Sequence, residues 1–553
     1  MKRSAIFVLW LVILAPVCLF GVPPSDEGGQ GRLKAELQTA SSQTVMVPMR
    51  DGVKLATYVY LPTGEGPWPT ILVRTSYGKD SVEELAPQAN ERGYALVVQD
   101  FRGRFNSEGQ DYPVFTHGGW GERKDGYDTV EWIAAQPWSN GKVGGFGMSA
   151  PGIALNMMAP SRPPHLVCCY VGVAFSSMYH QAAYQGGAFR RALVEGWLGN
   201  EGFDLRNLKL VREQPDYDDF WKALNAESVA SRVNVPTMFV GGWYDIFTAG
   251  TLNSFQTIHQ QGDSGARGKC RLVMDAYGHG RNDDLVFPNL TPPATASAWN
   301  WFDVWMKRDG QGLDAIPVVQ YFVMGDPNDP NTPGNRWRAA VDWPVPADAR
   351  KIYFHADRKL RLGPCRDLFE SLSVEYDPQN PVPTIGGANL TIAKGPKDQR
   401  SVEGRPDVLV FDSPILDRYV EVTGPVTAKL WVSSTATDTD FTAKLCDVYP
   451  NGRSMIVLDG ILRMRHRDSM EKSELMEPGK IYEIDIDLWS TSLVFSPGHR
   501  VRVALSSSNA PRFEPNPNTG EPSGVDSRTQ RATNTIYMDA KHPSHIVLPI
   551  VSP

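Results

Sequence analysis

Three side chains that could act together as a nucleophile, an orienting acid and a base follow one another along the chain as Ser149, Asp245 and His279. An activated serine needs a neighbouring base, and that base needs an acid to orient it. Ser149 lies in "KVGGFGMSAPG", where a glycine-rich apolar run ends at the hydroxyl. Such a run is typical either of a tight turn with an incidental serine or of a nucleophile elbow, a sharp strand-to-helix turn that exposes the serine. The usual elbow has a glycine two positions after the serine, where this chain has Pro151.

Asp245 and His279 each follow a segment that predicts a buried strand. The first segment is "VPTMFVGGWYD" and the second is "CRLVMDAYGHG". In a parallel sheet the functional loops lie beyond the carboxyl ends of the strands. Taken singly, Asp245 could be a helix N-cap and His279 an ordinary loop histidine. All three residues in this order, each at a strand end, favour a catalytic triad.

The elements that must position these residues alternate between strand and helix. Short apolar runs such as "PTILVRTSY", "GYALVVQDF", "KVGGF" and "HLVCCYVGV" predict buried strands, and "DGYDTVEWIAAQ" and "AGTLNSFQTIHQQ" have helical spacing. This alternation predicts a mainly parallel sheet with helices on both faces, the α/β class. We assign residues 44–175 and 233–314 to this domain.

Two other regions have a different pattern. Residues 176–232 contain amphipathic helical segments and no strand signal of their own, which predicts a helical cap above the sheet. Residues 315–553 are short alternating runs between Gly, Pro, Asn and Asp clusters, which predicts an all-β sandwich or jelly roll.

The N-terminus predicts export. Lys2 and Arg3 precede an apolar run of residues 5–17, the pattern of a Sec signal peptide spanning residues 1–21. Residues 22–43 are polar and aperiodic, as in a linker. A lipoprotein modified at Cys18 and an uncleaved anchor are the alternatives. We expect a periplasmic or secreted protein.

Composition excludes several classes of partner. The net charge is −7 and there is no block of Lys or Arg, so we expect neither nucleic acid nor, after signal cleavage, a membrane surface as partner. The six cysteines have no metal-knuckle spacing and are interpreted as mostly buried thiols, with at most one or two bridges. Without a Cys/His cluster or a phosphate loop in the sequence, we assign no metal, nucleotide or other cofactor.

Several stretches resemble one family closely. "VRTSYGKD", "VVQDFRGRFNSEG", "PWSNGKVGGFGMSAPG" and "VGGWYDIF", with "TDTDFTAKLCDVYPNG" and "FSPGHRVRVALSSSNAPRF" near the C-terminus, are similar to the CocE/NonD hydrolases. That family includes cocaine esterase, X-prolyl dipeptidyl peptidase, α-amino-acid ester hydrolase and glutaryl-cephalosporin acylase. The resemblance implies an α/β-hydrolase domain with a helical cap and a C-terminal jelly roll like galactose-binding modules.

The resemblance also implies roles for individual residues. It makes Ser149 the nucleophile, His279 the base and Asp245 the orienting acid. The hydroxyl of Tyr77 and the backbone N–H of Ala150 would form the oxyanion hole.

Two positions depart from the family pattern. The family commonly has tyrosine after the nucleophile, where this chain has Ala150; the backbone donor is retained but the pocket wall changes. It also favours Trp-Ser/Thr-His at the base, where this chain has "YGH", which weakens the assignment of His279 slightly.

Other side chains have two interpretations each. Trp243, Tyr244 and Phe247 flank the acid and could line the acyl pocket, although core packing explains Trp243 equally well. Asp216, Asp218 and Asp219 could bind a substrate ammonium group, but a solvated helix start is favoured. Asp438 and Asp440 could bind calcium, but hydrogen bonding at a strand end is favoured. We interpret Arg102 and Arg104 as structural anchors of a loop near the site.

These observations predict an exported serine hydrolase that cleaves ester or amide bonds of small acyl compounds, or of short peptides, through an acyl-enzyme. It could form a homo-oligomer. An X-prolyl dipeptidyl peptidase is the alternative enzyme, and it would need a cap group that binds a free amino terminus. An alternative from another class is a carbohydrate- or wall-binding protein with an inactive hydrolase domain.

Overall fold

The computed structural model describes residues 42–280, 286–521 and 528–552. The predicted signal peptide and almost all of the predicted linker therefore lie outside the described residues. Within those three ranges, no helix is both long enough and apolar enough to cross a bilayer.

The first half of the chain builds a ten-stranded sheet in the order β1-β2-β4-β3-β5-β6-β9-β10-β11-β12. Its strands, with the short β7-β8 pair of the cap, are β1 (Ser42–Pro48), β2 (Lys54–Tyr60), β3 (Trp68–Thr75), β4 (Ala95–Asp100), β5 (Ser139–Met148), β6 (Leu166–Gly172), β7 (Tyr184–Gln185), β8 (Ala188–Phe189), β9 (Thr237–Tyr244), β10 (Arg271–Gly278), β11 (Val319–Val323) and β12 (Arg336–Ala340). Strands β4 through β11 of this order are parallel, and β1, β2 and β12 pair antiparallel at the two ends.

Helices cover both faces of this sheet. The described α-helices are α1 (Leu85–Glu91), α2 (Asp125–Ala134), α3 (Ala150–Met158), α4 (Arg191–Asn200), α5 (Arg206–Glu213), α6 (Asp219–Lys222), α7 (Thr248–Gln261), α8 (Ala298–Phe302) and α9 (Arg400–Glu403). Consecutive strand residues enter opposite cores: Cys168 packs in one hydrophobic cluster and Cys169 in the other. A strand buried on both faces has no polar side, which is why these runs are continuously apolar. The predicted α/β class is confirmed.

The helical cap is anchored to the sheet by a buried arginine. Residues 176–232 contain α4, α5 and α6 together with the short β7-β8 pair. Arg104, in the loop after β4, donates to the carbonyls of Glu201 and Gly202 at 2.6 and 2.9 Å, at the end of α4. Arg102 in the same loop is paired with Asp125. The two arginines are structural, as predicted.

The C-terminal half builds a separate, almost entirely antiparallel sheet in the order β15-β22-β17-β23-β13-β14-β16-β21-β18-β19, with β20 paired to β17. Its strands are β13 (Asp348–His355), β14 (Lys359–Arg361), β15 (Ser371–Tyr376), β16 (Leu409–Asp412), β17 (Val420–Ser434), β18 (Asp440–Val448), β19 (Ser454–Arg463), β20 (Tyr482–Phe495), β21 (Arg500–Ser506), β22 (Ala532–Tyr537) and β23 (His545–Val551). The predicted all-β region is confirmed.

The start of the all-β region differs from the prediction. Strands β11 and β12 fall inside the predicted range 315–553, yet β11 pairs in parallel with β10 and β12 pairs with β11. They complete the first sheet. The hydrophobicity of a strand does not indicate which sheet it joins. The pattern of the local sequence therefore placed the domain boundary before β11 and β12.

The structure decides between the alternatives left open for several side chains. All five described cysteines are free and buried. Asp218 caps α6, accepting hydrogen bonds from the backbone N–H groups of Phe220 and Trp221. Two further aspartates lie in ion pairs with arginines, Asp438 with Arg465 at 2.8 Å and Asp440 with Arg463 at 2.9 Å. These carboxylates are structural hydrogen-bonding groups, the interpretation favoured from the sequence.

Candidate active site

Ser149 occupies a strained turn between β5 and α3. Its backbone has φ 59° and ψ −129°, a conformation that residues with a side chain rarely adopt. Its N–H donates to the carbonyl of Gly172 at 2.9 Å, and its carbonyl accepts from the N–H of Ile153 at 2.8 Å. The turn is therefore held from both the neighbouring strand β6 and the helix that follows.

Two glycines allow the strand and helix to approach this closely. A Cβ on Gly147 would lie 2.4 Å from the carbonyl of Pro151, and a Cβ on Gly152 would lie 2.9 Å from the carbonyl of Gly147. The close contact therefore falls on residues 147 and 152. Position 151 is free to hold proline, which suits the first turn of a helix.

The sequence-predicted nucleophile, base and acid form one hydrogen-bonded chain. His279 Nε2 lies 2.9 Å from Ser149 Oγ, and its Nδ1 lies 2.7 Å from Asp245 Oδ2. The other carboxylate oxygen of Asp245 accepts from the backbone N–H of Phe247 at 2.7 Å. Asp245 is completely buried and His279 is 7% exposed. Because the carboxylate accepts the proton at Nδ1, the lone pair of Nε2 faces the serine.

Tyr77 lies two residues past β3, with its hydroxyl beside the serine. Its oxygen accepts a hydrogen bond from Trp197 Nε1 at 3.2 Å. Burial raises the pKa of Tyr77, and hydrogen bonds with Ser149, Trp197 and the N–H of Ala150 partly oppose the rise. The phenol therefore stays protonated and can donate. The structure brings Tyr77 and the Ala150 N–H together at the nucleophile.

A cavity of about 500 Å³, including its open mouth, begins at Ser149 and Ala150. Its walls are otherwise apolar, apart from the indole N–H of Trp197, and come from the sheet, the cap and the second domain: Phe115, Ile153, Phe175, Met178, Ala182, Ala183, Leu193, Val194, Trp197, Leu198, Ile246, Phe247 and Leu390. The ring of Phe247 meets the imidazole of His279 edge to face, with 5.8 Å between centroids.

The predicted pocket residues separate into two groups. Phe247 lines the cavity, whereas Trp243 and Tyr244 do not; for Trp243 the structure agrees with core packing, the other interpretation of the sequence. Trp243 donates from Nε1 to the carbonyl of Phe322 at 2.7 Å within the core. The hydroxyl of Tyr244 donates to the carbonyl of Ile456 at 2.9 Å, joining the two domains. Both residues stand at the end of β9, where their side chains pack between layers of the structure and do not face the cavity.

Residues from the second domain reach the site, and no pattern in the sequence indicated them. Leu390 lines the cavity, and the hydroxyl of Thr391 donates to the carbonyl of Ala192 in α4 at 2.6 Å. The ammonium group of Lys394 donates to the carbonyl of His279 at 2.5 Å. The segment 390–394 is more than a hundred residues beyond His279 along the chain. Only the packing of the two domains brings this segment and the histidine together.

A second carboxyl group lies close to the acid. Burial raises the pKa of Asp275 to about 7, and the charge of Asp245 adds to the rise. Its Oδ1 accepts from the backbone N–H of Tyr277 at 2.8 Å. Asp275 lies where β10 shifts register against β9, immediately before the loop that carries His279.

Comparison with known proteins agrees with the class that the fold and site define, a serine hydrolase with an α/β-hydrolase domain. A family model described as X-Pro dipeptidyl-peptidase (S15 family) matches residues 51–207 and 201–281. Another, described as X-Pro dipeptidyl-peptidase C-terminal non-catalytic domain, matches residues 311–547. The chain is 34% identical to the cocaine esterase of Rhodococcus sp. (strain MB1 Bresler), over 92% of this chain and 98% of that protein.

Two solved structures are similar over nearly the whole chain. An α-amino acid ester hydrolase superposes with a TM-score of 0.79 at 25% identity, covering 93% of this chain and 97% of that chain. A CocE/NonD family hydrolase from Staphylococcus aureus superposes with a TM-score of 0.69 at 20% identity, covering 92% and 93% of the two chains. The chain belongs to the CocE/NonD family of serine hydrolases.

The contact at the elbow predicts that Gly147→Ala is not tolerated. The added Cβ would meet backbone atoms of Pro151, which cannot move without displacing α3, so we expect a loss of about 3 kcal/mol or more in unfolding free energy. Gly199→Ala in α4 is the control, because its Cβ would meet nothing within 4 Å. Urea unfolding of both variants measures their unfolding free energies. Equal unfolding free energies for the two variants would contradict the prediction.

The raised pKa predicts a pH-dependent effect of Asp275→Asn. The folded protein holds the proton of Asp275 up to about pH 7, whereas the unfolded chain releases it near 3.8. Wild-type stability from this group therefore falls as the pH rises between these values. The stability of the variant relative to wild type, measured as the difference between their urea midpoints, should increase from pH 5 to pH 8. An advantage that is constant with pH would refute this.

The contact of Lys394 with the histidine loop predicts a kinetic defect. Lys394→Met removes the donor to the carbonyl of His279, so we expect kcat to fall about tenfold with little change in melting temperature. Lys209→Met in the cap, where the side chain is 74% exposed, is the control. Equal kcat values for the two variants would show that the contact does not position the base.

Proposed function

We propose that this protein is an exported serine esterase that cleaves esters of apolar acyl groups through an acyl-enzyme. The observation that carries the proposal is the hydrogen-bonded chain of Asp245, His279 and Ser149 opening directly into an apolar cavity. A serine hydroxyl needs such a base to attack a carbonyl, and the cavity walls would bind the acyl group.

The geometry supports a two-step acyl transfer. His279 Nε2 takes the proton from Ser149 Oγ as the oxygen attacks the carbonyl carbon. The resulting oxyanion accepts hydrogen bonds from the Tyr77 hydroxyl and the Ala150 N–H. His279 then gives its proton to the leaving alcohol, and a water that it activates in turn releases the acid. Asp245 holds the imidazole in the required tautomer and stabilises its positive charge.

The walls of the cavity favour an ester over an X-prolyl peptide. None of the described residues that line it carries a carboxylate, which a free amino terminus would need as a partner. Among the candidate ammonium-binding groups of the cap, Asp216 lies 3.7 Å from His466 Nε2, Asp218 caps α6 and Asp219 is fully exposed. The relative with 34% identity is named a cocaine esterase, which also acts on an ester.

The alternative of a wall-binding protein with an inactive hydrolase domain is disfavoured by the geometry. An inactive domain has no need to keep a strained serine within 2.9 Å of an imidazole and that imidazole within 2.7 Å of a buried carboxylate. Such strain is retained where function requires it.

Export is proposed from the N-terminal sequence alone. Lys2, Arg3 and the apolar run of residues 5–17 predict signal cleavage near residue 21. N-terminal sequencing of the protein recovered from the periplasm or medium of a bacterial host tests this. A full-length chain retained in the cytoplasm would refute it.

The role of Ser149 predicts the behaviour of Ser149→Ala. The variant should fold normally, lose turnover by at least about 10³-fold, and fail to react with a fluorophosphonate that labels the wild type. On a panel of aryl and aliphatic esters, aminoacyl esters and Xaa-Pro anilides, the wild type should prefer apolar acyl esters. Faster cleavage of Xaa-Pro anilides would favour the peptidase instead.

The role of Tyr77 predicts a defect confined to the transition state. Tyr77→Phe should lower kcat by about 10² to 10³ and leave KM and the melting temperature nearly unchanged, because the hydrogen bond matters most when negative charge develops. Trp197→Phe, which removes the donor to the phenol oxygen and makes one wall of the cavity smaller, should lower kcat less. Near-normal turnover of Tyr77→Phe would remove it from the oxyanion hole.

A further inference from the structure

Three side chains that are typical metal ligands lie together in the second domain. They are His355, Cys365 and Glu370, and one ligand atom from each lies within 4.8 Å of the other two. None of the three lines the cavity beside Ser149. The cluster is therefore separate from the candidate active site and needs its own explanation.

The backbone holds the three residues in place. His355 is the last residue of β13, and Glu370 immediately precedes β15. The imidazole Nε2 of His355 donates to the carbonyl of Gly363 at 2.9 Å, so the loop that carries Cys365 also holds the ring. Glu370 Oε2 accepts from the backbone N–H of Ala356 at 3.3 Å. Two strand ends and one loop thus bring the ligands to one point.

Cys365 differs from the other described cysteines. Those are in the hydrophobic cores, at most 1% exposed: Cys168, Cys169, Cys270 and Cys446. Cys365 instead lies beside polar groups, with its Sγ accepting from the N–H of Asp367 at 3.2 Å and lying 3.8 Å from a carboxylate oxygen of Asp367. Cys365 is therefore a thiol held beside carboxylate groups, which a cation at this point would attract.

We propose that His355, Cys365 and Glu370 bind a zinc-class divalent cation at a structural site, with solvent as the fourth ligand. Sulfur, nitrogen and oxygen ligands together suit zinc, whereas a thiolate is a poor ligand for calcium or magnesium. Ligands of tetrahedral zinc lie about 3.3–3.8 Å apart, so the cluster must contract by about 1 Å. On binding, the S–H bond breaks, an S–metal bond forms and the proton leaves to solvent, with no change of oxidation state.

The ion would fasten an exposed loop to the sheet. Residues 356–370 carry three large apolar side chains that are mostly exposed, at 71% for Leu362, 61% for Leu368 and 93% for Phe369. No metal was expected from the sequence, because His355, Cys365 and Glu370 do not have the paired Cys or His spacing of a zinc knuckle. The β13–β14 hairpin and the start of β15 bring them together.

Metal titration of the purified protein with both domains intact tests the proposal. After dialysis against a chelator, under a phosphine reductant, the protein is titrated with zinc against a chromophoric chelator and with cobalt. We expect one bound ion per chain, a thiolate-to-cobalt charge-transfer band, and a raised melting temperature with zinc. Cys365→Ser and His355→Ala should each lose the bound ion and the zinc-dependent shift, and Cys365→Ser should also lose the band.

His165→Ala is the matched control, because His165 forms an exposed pair with Glu131 at 2.7 Å in the first domain and is not part of the cluster. This control should still bind the ion. Metal-free Cys365→Ser should melt at about the metal-free wild-type temperature, and both variants should retain turnover, which separates lost binding from misfolding. No stoichiometric binding by wild type, binding retained in Cys365→Ser, or bound cobalt without the charge-transfer band would overturn the proposal.

Discussion

The site depends on the close approach of strand β5 to helix α3. Glycine at residues 147 and 152 lets the two backbones touch, and that contact forces Ser149 into its positive-φ turn. The turn points the hydroxyl away from the sheet. It also leaves the N–H of Ala150 at the start of the helix, close to that hydroxyl. One steric constraint therefore places a nucleophile and an adjacent backbone donor with fixed geometry, and no flexible loop is needed to hold either.

The parallel sheet extends this constraint to the other functional groups. Because β3, β5, β9 and β10 run in the same direction, Tyr77, Ser149, Asp245 and His279 all emerge at one edge of the sheet. The cap and the second domain then cover that edge with apolar side chains. Exclusion of water there strengthens each hydrogen bond to developing charge.

The second domain is more than a covering. Leu390 completes the cavity wall, and Lys394 holds the carbonyl of His279. The hydroxyl of Tyr244, one residue before the acid, is bonded to a carbonyl of β19. The histidine and acid loops are thus fastened from the far half of the chain, which couples the position of the base and acid to the integrity of the interface between domains.

The classes of secondary-structure element and the order of the chemical groups along the chain follow from local sequence patterns. Apolar runs buried on both faces identify strands such as β3 and β6 from hydrophobicity alone, and a serine, an acid and a histidine at strand ends can be found by inspection. Three features depend on tertiary contacts instead. They are the sheet that β11 and β12 join, the packing of Trp243 and Tyr244 in the core and interface while Phe247 faces the cavity, and the reach of Leu390 and Lys394 to the site. These depend on contacts between residues far apart along the chain, where hydrophobicity and spacing carry no information about the partner.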